Sequence, residues 1–192
     1  MRSHVFSFLA AIVIAGCSEQ QSVVVAEPAE LTGDAIGHYC QMIVLDHAGP
    51  KAQVHLAGQS EPLWFTQIRD AMAFARMPEE TAEIAAIFVS DMGAAEGWQS
   101  PGTDNWIDAR VAHYVMGSNR RGGMGAPELV PFSSPEEANI FAGRHGGTVI
   151  GYDAITDAMV LSPVEVDGQP PDGGGHHTEP TSPHQHGTEV QG

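Results

Sequence analysis

FTQIRDAMAFA, residues 65–75, lines up without a gap on FSSPEEANIFA, residues 132–142. Phe65, Ala71, Phe74 and Ala75 fall on Phe132, Ala138, Phe141 and Ala142, while the polar pair Thr66 and Asp70 falls on Ser133 and Glu137. Both segments read as helices opening on a Thr or Ser N-cap, with acids in the early turns. A side-chain oxygen there accepts an orphan backbone N–H, and negative charge meets the positive end of the helix dipole. Outside the helices the likeness continues more weakly. QVHL (53–56) and PLWF (62–65) precede the first and AAIFVSD (85–91) follows it; AHYVMGS (112–118) and ELVPF (128–132) precede the second and GTVIGYD (147–153) follows it. Each of these runs is strand-like. Strand, strand, helix, strand, used twice, predicts an α+β fold: two related small units, about 34–98 and 106–162, packed as one compact domain.

The flanks are different in kind. Residues 1–16 hold one base, Arg2, and an apolar run from about Val5 to Ala15. That run is shorter than the roughly 20 apolar residues of a membrane-spanning helix and suits a signal peptide. It ends in I-A-G-C at 14–17, which resembles a bacterial lipobox with Ile in place of the usual Leu, so Cys17 is the expected lipidation site. An ordinary signal peptide cut elsewhere, or a short buried helix, is the alternative. Residues 17–33 read as a tether. Residues 163–192 are rich in Pro, Gly and acids and too poor in large apolar residues to form a core.

Eight basic residues face 24 acidic ones, a formal net charge of −16. Loss of residues 1–16 leaves seven basic against 24 acidic. Such a surface excludes a nucleic-acid binder, since phosphate recognition needs clustered Lys and Arg. It also repels an anionic bilayer, which leaves lipid on Cys17 as the membrane attachment, held by more than one acyl chain.

The two cysteines are Cys17 and Cys40. With Cys17 acylated, no internal disulfide is available. Cys40 sits in GHYCQM (37–42), two residues after His38 and two before Met42. An extended backbone over 38–42 puts all three side chains on one face. Thiolate and thioether with a nearby imidazole form a ligand set for copper(I) rather than for zinc or a hard ion. The second unit offers one soft group in a glycine loop, Met124 in NRRGGMGAPE (119–128). The plainer reading makes Cys40 a small buried hydrophobe. Met72, Met77, Met92, Met116 and Met159 read as core filling, and His38, His55 and His113 as structural histidines before ligands. His176, His177, His184 and His186 lie among Gly and Pro in the tail and are possible auxiliary metal ligands. Catalytic patterns are thin: RRGG lacks the spacing and lysine of a P-loop, and Ser133 has no nucleophile-elbow context. The expectation is a non-enzyme.

HYCQMIVLDHAGPKAQVHL, PLWFTQIRDAMAFARMPEE, IFVSDMG, WIDARVAHYVMGS, RRGGMGAPELVPFS and FAGRHGGTVIGYDAI follow one another in an order that resembles the nitrous oxide reductase accessory lipoproteins, the NosL family. The resemblance spans residues 34–162. It implies a lipid-anchored copper(I) chaperone in the periplasm, held to the envelope through Cys17, with the outer membrane as the expected site. It implies delivery of copper for nitrous oxide reductase maturation in denitrification, with an ABC-type assembly complex and the apo-reductase as partners. It also implies two related α+β units. By motif, Cys40 would be the thiolate ligand, Met124 the thioether from the second unit, Met42 a further thioether and His38 a weaker ligand. Gln41 stands where the family has glycine. The alternative for the family role is an envelope scaffold of the assembly complex that transfers no metal.

Overall fold

The computed structural model describes residues 26–77, 79 and 82–164. The signal segment, Cys17, most of the tether, His176, His177, His184 and His186 lie outside the described residues.

Among the described residues, seven strands and three α-helices follow in the order β1 (Ala52–Leu56), β2 (Leu63–Phe65), α1 (Ile68–Phe74), β3 (Ile84–Ser90), β4 (Trp106–Asp108), β5 (His113–Met116), β6 (Val130–Phe132), α2 (Pro135–His145), β7 (Thr148–Gly151) and α3 (Asp157–Leu161). The first sheet has the order β2-β1-β3-β4 and the second β6-β5-β7, all neighbours antiparallel. In both units the first strand pairs with the second, a helix follows, and the third strand returns to the free side of the first. The sequence repeat is thus a topological repeat, and the fold is α+β as expected. The edge strand β4 and the short helix α3 are additions that strand and helix patterning did not reveal.

Phe65 and Phe74 pack 5.6 Å apart, and their counterparts Phe132 and Phe141 pack 5.2 Å apart. The two pairs are covered differently. Trp98 stacks on Phe141 in the second unit, whereas His38 and Tyr39 lie over Phe65 and Phe74 in the first. The larger core joins β1, β3 and α1 with Tyr114 and Leu129 of the second unit and Ile155 and Val160 near the end of the described chain. Residues of both units share this core, so they form one domain. Two arginines secure the C-terminal segment. Arg69 donates to the carbonyls of Met159 and Ser162, and Arg76 to that of Ile155, with Asp157 3.5 Å from the Arg76 guanidinium.

The helix starts differ from expectation in an instructive way. Ser134 caps α2, accepting from the Glu137 N–H, and Ser133 instead donates its hydroxyl to Asp91. Thr66 does not cap α1. That helix begins after Gln67, which offers no side-chain cap, and the free N–H groups of Ile68 and Arg69 both donate to the carboxyl of Glu128, at 3.2 Å each. A helix leaves its first N–H groups without internal partners; here a residue from the other unit supplies the acceptor.

Candidate metal centre

The segment expected to be extended at 38–42 is a tight turn. Ile36 bridges Ile43, the Gly37 N–H donates to the Met42 carbonyl at 2.9 Å, and the Gln41 N–H donates back to the Gly37 carbonyl at 2.9 Å. Gln41 has φ 56°, the left-handed region that disfavours a residue with a Cβ. Its own carboxamide compensates by donating to the His38 carbonyl at 2.7 Å. The turn is anchored to β2 at one point, where the His38 N–H donates to the Trp64 carbonyl at 2.7 Å. His38, Cys40 and Met42 therefore do not share a strand face. The His38 ring is half-buried against Phe65 and Phe74, centroids 5.6 and 5.3 Å away. Met42 is exposed, and Cys40 is half-buried at the turn.

The turn closes over Gly37. A Cβ there would lie 2.5 Å from Cys40 Sγ and 3.4 Å from the Thr66 methyl, so the missing side chain is what lets the thiol fold back toward Thr66.

The Met124 loop reaches the same residue from the second unit. Arg121 and Pro127 form a bridge that closes the loop, with the Gly122 N–H donating to the Ala126 carbonyl. A Cβ on Gly123 would lie 2.6 Å from the Thr66 carbonyl oxygen, 2.9 Å from the His47 Cβ and 3.3 Å from the Ala48 carbonyl oxygen. Glycine is required here by closeness, since no side chain fits. The Met124 N–H donates to Gln67 Oε1 at 3.2 Å, and Met124 itself is exposed. His47 Nδ1 lies 3.1 Å from the Gly123 carbonyl. A carbonyl only accepts, so Nδ1 carries the proton, and the neutral ring keeps its lone pair on Nε2.

Beneath these loops lie two buried ionisable groups that sequence reasoning missed. Lys51, the chain's single lysine, is fully buried and donates to the carbonyls of Ala48 (3.1 Å) and Gly49 (2.7 Å). Burial pushes its ammonium down to about 8, against the opposing charges of Glu128 and Cys40. Glu128 is also buried and accepts from Ile68, Arg69 and Leu129. Burial pushes its carboxyl up to about 8, those three N–H groups hold it down in part, and nearby Asp70 adds to the rise. One signal pointed to Lys51: in a chain with a single lysine, a lysine directly before a strand of alternating apolar residues stands out. Nothing local marked Glu128.

Elsewhere the soft groups separate. Met72 is buried in the core, but Met77 is exposed and accepts from the Tyr39 hydroxyl at 3.6 Å, so it does not fill the core as expected. The buried His55 shares a 2.7 Å hydrogen bond with the Gln53 carboxamide. Among the described residues, no three His, Cys, Asp or Glu side chains gather as a metal-binding group. The chemistry at Cys40 and Met124 is that of sulfur, which favours a soft monovalent ion over zinc, calcium or magnesium.

The NosL family model matches residues 28–160. The chain belongs to the NosL family. It is 53% identical over 161 residues to the copper-binding lipoprotein NosL of Achromobacter cycloclastes, covering 82% of each chain. It is 32% identical over 178 residues to the copper-binding lipoprotein NosL of Stutzerimonas stutzeri, covering 92% of this chain and 89% of that one. Among solved structures it resembles the copper chaperone NosL from Shewanella denitrificans, with TM-score 0.64 and 28% identity over 69% of this chain and 97% of that one. Cys40 and Met124 both fall within the matched family segment.

Proposed function

We propose that this NosL protein is a non-enzymatic copper(I) chaperone, tethered to the cell envelope through lipid on Cys17, that supplies copper for the maturation of nitrous oxide reductase. One observation carries the reading: the turn that bears Cys40 and the loop that bears Met124 come from different units and are both seated on Thr66 through side-chain-free glycines. The names of the relatives support copper as the cargo.

Loading exchanges one proton for one metal ion. Copper(I) binds the Cys40 sulfur as thiolate, the thiol proton leaves to solvent, and the Met124 thioether adds a neutral second sulfur from the other unit. Met42, exposed beside the turn, is a further thioether within the same segment. His38 is committed to the aromatic contacts with Phe65 and Phe74 and serves as the weaker candidate.

Release needs an exposed site. Ile36, Tyr39, Met42, Ile43, Leu45, Met77 and Met124 are all solvent-exposed apolar side chains, five of them within residues 36–45. Such a rim suits contact with the partner that takes the copper, whether the ABC-type assembly complex or the apo-reductase in the periplasm. With few sulfur ligands on the ion, the partner adds its own ligand before the first one leaves.

The test is an anaerobic copper(I) titration against a chromophoric chelator, wild type beside Cys40→Ser and Met124→Leu. One copper bound tightly by the wild type and weakened at least a hundredfold by Cys40→Ser is the expected result. Equal, weak binding by all three chains removes the carrier role and leaves an envelope scaffold. Transfer to apo-reductase, followed by the appearance of its copper absorption, tests the delivery step separately.

A further inference from the structure

We infer that Gln67 is a positioning residue that sets copper affinity by holding Met124 against the first unit, an inference that rests on the copper-carrier reading above. Gln67 is 4% exposed although its side chain is polar. Its carboxamide is oriented without ambiguity: Nε2 donates to Asp70 Oδ1 at 2.8 Å, so Oε1 faces the other way and accepts the Met124 N–H at 3.2 Å. Turned around, the amide would set oxygen against carboxylate and NH2 against N–H.

The backbone of Gln67 is itself held from the second unit. Glu128 accepts the N–H groups of the next two residues, Ile68 and Arg69. Segment 122–128 thus holds segment 66–69 through hydrogen bonds at the Met124 N–H and the Glu128 carboxyl, beside the close approach of Gly123 to Thr66. Between them Gly122 lies so close that a Cβ would meet Gln67 Oε1 at 2.7 Å and Gln67 Cβ at 2.8 Å. Glu128 explains why the two units stay together. It does not explain where Met124 sits, because three residues of loop separate them. The bridge and turn bonds shape the loop and Gly123 seats it on Thr66, while the hydrogen bond to Gln67 is the contact that fixes the Met124 backbone itself. A ligand kept in place before metal arrives loses less freedom on binding, which raises affinity without adding a contact to the metal.

The experiment measures copper(I) affinity by chelator competition for the full chain carrying Gln67→Leu, Gln67→Glu with Asp70→Asn, Met124→Leu or the double change Gln67→Leu with Met124→Leu. Amide exchange at residue 124 is followed in the metal-free protein. Gln67→Leu is expected to weaken binding about tenfold, to speed exchange of the Met124 amide, and to lower the number of sulfur ligands seen by X-ray absorption. Gln67→Glu, combined with Asp70→Asn so that a side-chain amide donates to the new carboxylate, keeps an oxygen for the Met124 N–H and is expected to bind within about twofold of wild type. In the Met124→Leu background the Gln67→Leu change is expected to cost nothing further. Undiminished affinity in Gln67→Leu, or the same loss with and without Met124, overturns the role of Gln67. Wild-type affinity in Met124→Leu alone overturns the ligand assignment of Met124 and this role with it.

Discussion

Replacing Glu128 by glutamine tests whether a buried acid joins the two units. The wild-type carboxyl lies 3% exposed, accepts backbone N–H groups at 3.2, 3.2 and 2.9 Å, and is pushed from 4.5 up to about 8 because burial disfavours its charge. Between these values the unfolded chain has lost the proton that the folded chain retains. Stability therefore falls as pH rises through that window, by about 1.4 kcal/mol per pH unit. Over the whole interval the loss reaches about 5 kcal/mol at most. Glutamine has the same shape and no proton to lose. Urea unfolding of Glu128→Gln and wild type at half-unit steps from pH 4.5 to 8 gives the difference directly, with the titrating groups that do not interact with Glu128 cancelling. The expected result is a stability difference that moves steadily in favour of the neutral amide as pH rises. Curves that stay parallel would refute the reasoning and make Glu128 an ionised cap throughout.

Gly123→Ala puts a methyl 2.6 Å from the Thr66 carbonyl oxygen and should lift the Met124 loop, weakening copper(I) binding at least tenfold while costing about 1–3 kcal/mol in thermal unfolding; chelator competition and calorimetry read the two effects. Tyr114→Phe removes the buried hydroxyl that donates to the Ala109 carbonyl at 2.7 Å, and should cost about 1–2 kcal/mol in urea unfolding with no change in copper affinity, because that hydroxyl bonds only within the shared core.

The repeat was legible because its aromatic and alanine positions serve the same packing role twice. Phe65 and Phe74 pair as Phe132 and Phe141 do, and a strand-strand-helix-strand order reads directly from alternating and helical periodicities. Cys40 and Met124 stood out for their chemistry, since a lone thiol and a methionine between glycines are unusual whatever the fold. The error at 38–42 has a local cause. Five residues are too few for periodicity to separate a strand from a turn, and Gln41 at φ 56° is supported by its own side chain, a device that composition does not announce.

By itself, then, the amino-acid sequence determined the two-unit α+β plan, the acidic surface and the sulfur chemistry, because each depends on residue type and near-neighbour spacing. Tertiary structure alone decided how the units engage. Glu128 completes a helix that begins 60 residues earlier in the chain, Gln67 holds the Met124 N–H from 57 residues away, and Thr66 meets Gly37 at its methyl and Gly123 at its carbonyl. These contacts join groups that are ordinary in their own segments. Their meaning comes from desolvation and closeness, which arise only when the two units meet.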